Sequence, residues 1–170
     1  MSKNNQWFRN TSWNPEIETQ FFNRLNRSRR YNKGQYLRIQ ATELLFSSDN
    51  SVHEKGIELM NVLISQYNNS ISTILDAHTF LGIYYRRQKQ YEKAIEQFDI
   101  VLKYNETNNF SYDMPDLRIA ECIAEWGNVS LFDYAITLLN KMDRRTLILP
   151  ELKERYDSAM RTLQSANIKH

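Results

Sequence analysis

Three histidines are the first side chains to consider for acid–base or metal chemistry. They are His53, His78 and His170, and their spacing matches neither an HExxH pair nor another common zinc-ligand pattern. His78 falls beside the apolar positions of its segment, which favours a packing or groove residue over a catalytic base. We therefore expect no metal site.

The other common motifs of catalysis are missing from the sequence. The four glycines are isolated, so they form no phosphate-binding loop or dinucleotide fingerprint. No serine lies in a GxSxG turn. The single cysteine, Cys122, excludes an internal disulfide and lies in an apolar stretch typical of a buried, inert thiol. We expect neither a cofactor nor an enzymatic activity, although a site assembled from residues far apart in sequence stays open.

A basic segment, residues 24–38, is the strongest charge feature of the chain. Its cations stand in a stretch without an acidic residue between Glu18 and Glu43, and they are Arg24, Arg27, Arg29, Arg30, Lys33 and Arg38. Such a cluster binds nucleic-acid phosphates or an acidic partner. The alternative is a solvated corner between helices, with Arg29 to Lys33 as a loop. We favour the corner, and expect no nucleic-acid partner, because the formal net charge is only +2 and no RNA-binding signature is present.

The elements that would position these side chains are predicted to be helices. Only four glycines and three prolines punctuate the 170 residues, which is few for a turn-rich β architecture. Two apolar stripes with helical spacing occupy residues 74–87 and 91–104, separated by about three polar residues. Such a short connection folds the two helices back as an antiparallel pair. The many aromatic residues favour interlocking packing over a sticky surface.

The pattern of this pair is repeated along the chain. The segment Glu92–Glu96 has an echo at Glu54–Glu58 and a weaker one around Ala135. Asn14 followed by Pro15 predicts the start of an N-terminal helix, and Pro150 predicts the start of a C-terminal one. We expect a single all-α domain over residues 1–170 with about eight helices. Its predicted parts are an N-terminal capping helix at 14–30, about three helix pairs over 35–142 that are clearest at 75–108, and a C-terminal capping helix at 150–168.

The clearest pair resembles the tetratricopeptide repeat family. The residues that carry the resemblance, in the spacing of the family signature, are Leu81, Gly82, Tyr85, Tyr91, Ala94 and Phe98. The first and third pairs depart from the signature, with Ala41 and Gly56 as degenerate matches. The resemblance implies an α-α superhelical array in which small residues such as Gly82 and Ala94 let paired helices approach closely.

In this family the first helix of each pair lines a concave, partner-binding groove. The resemblance places on that groove Gln35, Arg38, Thr42, Asp76, Thr79, Ile83, Arg86, Leu117, Glu121 and Glu125. The alternative is that these are ordinary exposed residues. They do not match the Lys/Asn pattern with which some members clamp a C-terminal carboxylate. Their mixed chemistry suits a folded partner or an extended peptide.

The segment from Trp13 to Ala41 is similar to a group of stand-alone bacterial tetratricopeptide-like proteins. Some members of that group accompany polymorphic toxin systems, so the similarity implies an immunity protein that binds a cognate toxin. The alternatives are a generic peptide- or protein-binding adaptor and an RNA-associated protein that uses the basic segment. The sequence shows no apolar signal core and no run near about 18 apolar residues, so we expect a cytoplasmic location and no membrane partner.

Overall fold

The structure is a computed structural model that describes residues 6–67, 70–142, 147 and 149–167. Within these residues every regular element is a helix, and the predicted all-α class and number of helices are confirmed. The α-helices are α1 Pro15–Arg27, α2 Arg30–Leu45, α3 His53–Gln66, α4 Ile71–Arg87, α5 Tyr91–Asn108, α6 Pro115–Trp126, α7 Phe132–Lys141 and α8 Pro150–Asn167. None of these helices is long and apolar enough to cross a bilayer.

The chain divides into two compact units, Met1–Tyr84 and Tyr85–His170. The division falls inside α4, so that most of this helix belongs to the first unit and its last turn belongs to the second. Gly82 and Ala94, the small residues of the clearest predicted pair, are both buried. They lie in different units.

Helix α1 begins where the sequence predicts. The side chain of Asn14 accepts a hydrogen bond from the backbone N–H of Ile17 at 2.9 Å, and Pro15 occupies the first helical position. The helix ends at Arg27, and only Ser28 and Arg29 separate it from α2. The prediction of a loop at Arg29 to Lys33 was therefore wrong, because α2 already starts at Arg30.

The first unit is organised around the packing of α2 on α3, and the two helices approach each other tightly at Gly56. A side chain at this position would place Cβ 2.8 Å from the backbone nitrogen of Leu45 and 3.1 Å from the carbonyl oxygen of Ala41. Leu44 on α2 and Leu59 and Leu63 on α3 are fully buried in the same unit. Gly56 and Ala41, which match the family signature poorly, nevertheless form a close helix–helix contact.

The segment before α1 is fixed to the first unit by one buried amide and by aromatic rings. The Gln40 side chain, which is fully buried, accepts hydrogen bonds from the backbone and side-chain amides of Asn10 and donates one to the Asn10 carbonyl. Trp7 and Trp13 contact the buried Phe21 ring, with centroids 5.4 and 5.5 Å away. The hydrogen bonds with Asn10 satisfy the amide group of Gln40, which would otherwise be costly to bury.

The second unit is built around α6. This helix packs against α5, α7 and α8, and most of its side chains are buried. Gly127 ends it in the left-handed conformation, with φ of 72°, and its N–H bonds the carbonyl of Ile123. Cys122 is buried there, as its sequence context predicts, and burial raises the pKa of its thiol to about 12. A thiol with so high a pKa is a poor nucleophile near neutral pH.

The C-terminal helix α8 runs from Pro150 to Asn167. The last residue of the predicted capping helix, Ile168, lies outside the described residues, as does His170.

Candidate functional site

In the first unit, the predicted groove residues lie on α2 and α4, and one ion pair joins the two helices. Arg38 Nε lies 3.3 Å from Asp76 Oδ2, and the Arg38 guanidinium lies 5.8 Å from the centre of the Phe80 ring. Both charged side chains are partly exposed, so the pair contributes at most about 1 kcal/mol to stability. The pair fixes the position of the Arg38 side chain, which is 22% exposed.

The other predicted groove residues of this unit differ in accessibility. Gln35 is exposed, and Ile83 is half-buried. Thr42 is half-buried too, and its hydroxyl donates to the Arg38 carbonyl of its own helix at 2.8 Å. Thr79 is buried, and its hydroxyl has no hydrogen-bond partner among the described residues. Of these, Gln35 is the most open to a partner.

In the second unit, three predicted groove residues meet in one ion-pair network. Arg86, at the end of α4, donates from Nε and Nη2 to the two carboxylate oxygens of Glu125, at 3.0 and 2.6 Å. Its Nη1 also donates to Glu121 Oε2. The fourth predicted residue, Leu117, is fully buried one turn earlier on α6. The network therefore joins the end of α4 to the exposed edge of α6.

The network has a further member, Arg155 of α8, which the sequence analysis did not identify. Arg155 Nε and Nη2 donate to the two oxygens of Glu121 at 2.6 and 2.8 Å, which is the bidentate geometry of a strong arginine–carboxylate pair. Glu121 thus binds two guanidinium groups from two different helices. One signal was available: Arg155 borders the apolar stripe that Leu152 and Tyr156 define on α8.

Burial and charge act in opposite directions on Glu121. Its side chain is only 8% exposed, and burial by itself raises the pKa of the carboxyl group. The hydrogen bonds and positive charges of Arg155 and Arg86 outweigh burial and hold this pKa below its ordinary value. The hydrogen bonds and negative charge of Glu121 raise the pKa of Arg155, so Glu121 and Arg155 are both ionised at neutral pH.

An open cleft of about 500 Å³ lies beside this network, between α6 and α8. Its lining includes Glu121, Arg155 and Arg161 together with the small residues Ala124 and Ser158. Arg155 is 38% exposed, and only two of its three nitrogen atoms are engaged by Glu121. The cleft therefore offers a fixed guanidinium with free N–H donors, next to carboxylates, in a space that admits a partner side chain.

His53, the first of the three histidines, has a structural environment. It is buried, its Nε2 lies 2.9 Å from the Ser47 carbonyl oxygen, and its Nδ1 lies 3.5 Å from the Tyr84 hydroxyl. A ring that donates from Nε2 and accepts at Nδ1 satisfies both contacts. Among the described residues, no group of three or more His, Cys, Asp or Glu side chains is arranged to hold a metal ion.

Comparison of the chain with protein-family models, with curated proteins and with solved structures finds no match.

Proposed function

We propose that this chain is a tetratricopeptide-like protein-binding module, a superhelical array with capping helices at both ends. We further propose that it works in the bacterial cytoplasm as an immunity protein that binds and neutralises a cognate toxin. The observation that supports protein binding most strongly is the network at the cleft, in which Glu121 holds Arg86 and Arg155 in fixed positions. Prearranged arginines are typical of binding hot spots, because little side-chain entropy is lost when a partner binds.

An inhibitor must bind its target tightly, and this requirement sets the size of the contact. Nanomolar affinity corresponds to about −12 kcal/mol. Complexes of such affinity usually bury roughly 1,600 Å² in total. A cleft of about 500 Å³ has the size of a small-ligand pocket and covers only part of such a contact. The cleft is therefore proposed as an anchor point within a larger contact that a folded partner makes.

The toxin hypothesis is tested by co-expressing the chain with the product of its neighbouring gene. We expect that product to arrest growth when expressed alone, and we expect the chain to restore growth and to co-purify with it. If the product is harmless alone, or arrests growth equally in the presence of the chain, the immunity function is rejected. A generic peptide- or protein-binding adaptor then becomes the better proposal.

One observation favours an RNA-associated role as the second alternative. The five cationic side chains of residues 24–33 form no ion pair with a described residue. Phosphate binding through these residues would make affinity for RNA fall steeply as the salt concentration rises. The affinity of the chain for a single-stranded oligonucleotide, compared with its affinity for an acidic peptide of equal length, tests this alternative directly.

A further inference from the structure

The connection between α1 and α2 presents a compact group of positive charges, which we call the basic corner. It consists of residues from the last turn of α1, the connection and the first turn of α2, namely Arg24, Arg27, Arg29, Arg30 and Lys33. The four arginines are exposed and Lys33 is half-buried. Only Ser28 and Arg29 connect the helices, so the five residues lie within a short length of chain.

The backbone of the basic corner is well held. The Ser28 N–H donates to the Leu25 carbonyl at 3.0 Å, and the Asn32 N–H donates to the Arg29 carbonyl at 2.9 Å. Leu25 and Leu37, one on each helix, are fully buried and anchor the corner on the first unit. The cations are therefore presented from ordered helical backbone, and a partner need not order a loop in order to bind them.

The described residues supply no carboxylate that forms an ion pair with the basic corner. None of its five cations makes an ion pair with a described residue, whereas Arg38, farther along α2, pairs with Asp76. Helix α2 has no acidic residue in its first turn and no side-chain cap at Arg29. Because the N-terminal end of a helix carries partial positive charge, Arg30 and Lys33 stand where cations are electrostatically unfavourable. This arrangement is understandable if an anionic partner supplies the missing negative charge.

The distribution of charge and aromatic side chains distinguishes between anionic partners. The chain has a formal net charge of +2, so outside the five charges of the basic corner it carries a net charge of −3. Proteins that bind single-stranded nucleic acid without sequence preference track the backbone along an extended positive groove and stack successive bases on aromatic side chains. The basic corner is confined to two helix turns and has one exposed ring, that of Tyr31, which is 68% exposed.

We propose that the basic corner binds a cluster of carboxylates on a protein partner, an inference that rests on the proposed protein-binding function. Arginine forks hold carboxylates in a bidentate manner, and four of the five cations are arginines. The Tyr31 hydroxyl accepts a hydrogen bond from Arg29 Nη1 at 2.9 Å, which places this arginine beside an exposed ring. Tyrosine and arginine are among the residue types that most often anchor protein interfaces.

The inference is tested by fluorescence anisotropy with three labelled probes of equal length. They are a hexaglutamate peptide, a neutral Ser/Gly peptide and a single-stranded hexauridylate. We expect the acidic peptide to bind and its affinity to fall with salt, the neutral peptide not to bind, and the oligonucleotide to bind no more tightly than the acidic peptide at physiological ionic strength. An acidic peptide that binds no better than the neutral peptide overturns the inference. Tighter binding of the oligonucleotide replaces it with the RNA-associated alternative.

Matched charge variants locate the binding. The triple variant Arg24→Gln, Arg27→Gln and Arg30→Gln should lose about tenfold in affinity for the acidic peptide. The control Lys93→Gln, Lys103→Gln and Lys153→Gln removes the same charge from exposed positions elsewhere and should change affinity less than about twofold. Equal losses in the two variants would overturn the site. If the triple variant does not fold, the single variant Arg27→Glu, at an exposed position at the end of α1, replaces it with the same expected direction.

Binding of the cognate partner to the wild-type chain and to the triple variant distinguishes a failure of this inference from a failure of the proposed function. If that partner binds the wild-type chain and binds the triple variant equally well, the basic corner is not its site, and protein binding still stands. If the partner does not bind the wild-type chain, the proposed function itself fails.

Discussion

Gly56 lies where α3 packs tightly on α2, and the absence of a side chain there is what permits the contact. The atoms nearest to a Cβ at this position would belong to the backbone and side chain of Leu45, at 2.8 and 2.9 Å. Backbone atoms cannot move aside as a flexible side chain can, so a methyl group would push the helices apart. Gly34, on α2, differs: its nearest neighbours would be 3.4 Å or farther away, which is ordinary van der Waals contact.

The two glycines therefore predict opposite effects of one substitution. Gly56→Ala should destabilise the fold by about 1–3 kcal/mol, because overpacking exceeds the gain in helix propensity. Gly34→Ala should be neutral or stabilise the fold by up to about 1 kcal/mol, because only the propensity changes. Urea denaturation followed by circular dichroism measures both free energies of unfolding. A Gly56→Ala protein as stable as the Gly34→Ala protein would contradict the close contact of α2 and α3.

The hydrogen-bond partner of the buried Gln40 side chain could not be predicted from the sequence pattern. The position of Gln40 on α2 falls among apolar neighbours, and nothing in the sequence marks it as the partner of Asn10. That pairing depends on how the segment before α1 folds back, over a separation that helical periodicity does not describe. By contrast, Asn14 was identified as a helix cap because capping depends only on the next three residues.

Three helices are held together by Glu121, because it binds Arg86 at the end of α4 and Arg155 on α8. The folded protein depresses the pKa of Glu121, so the carboxylate contributes stability at every pH above its unfolded value, near 4.5. This contribution is lost as the pH falls through the lower, folded-state pKa. The two arginines remain charged throughout, so protonation of Glu121 removes the carboxylate charge that binds Arg155 and one of the two that bind Arg86.

Glu121→Gln should therefore change both the stability and its dependence on pH. At pH 7 we expect a loss of about 1–3 kcal/mol, because two arginines lose a charged partner in a partly buried site. Below about pH 4.5 the difference from wild type should shrink, since wild type then progressively loses the same charge. The control Glu96→Gln, at an exposed position on α5, should leave both quantities unchanged. Unfolding free energies that stay parallel from pH 7 to pH 3 would contradict this account.

Most of the helices could be predicted from the sequence, because each has a continuous apolar stripe. The start of α2 did not, because Arg30 to Gly34 combines charged, aromatic and flexible residues without periodic apolar positions. Its helical state is supported by the packing of the later part of α2, where Leu37 is fully buried. The ion-pair network shows a similar division. Arg86, Glu121 and Glu125 were predicted as groove residues from the resemblance, and that role stays a prediction. Arg155 joins them only through the position of α8 against α6.

Each of the two units carries its own charged surface. The first has the Arg38–Asp76 pair and the basic corner, and the second has the Glu121 network with its cleft. The predicted groove residues are divided between the units in the same way. The charge variants of the basic corner and the variants of the cleft therefore fall in different units.

The cleft is the most direct place to test the proposed function. Ser158 lines it and is exposed, so Ser158→Arg should place a long cation in the cleft without removing any residue of the Glu121 network. Gln164→Arg is the matched control, because it makes the same change of charge at an exposed position of α8 that does not line the cleft. Circular dichroism and thermal unfolding establish that both variants keep the fold.

Isothermal titration calorimetry of the purified neighbouring-gene product against wild type, Ser158→Arg and Gln164→Arg is the decisive measurement. We expect wild type and Gln164→Arg to bind with the same nanomolar affinity, and Ser158→Arg to bind at least about tenfold more weakly, a difference of about 1.4 kcal/mol. Equal affinity of all three proteins would show that the partner does not use the cleft between α6 and α8, and would contradict the proposal.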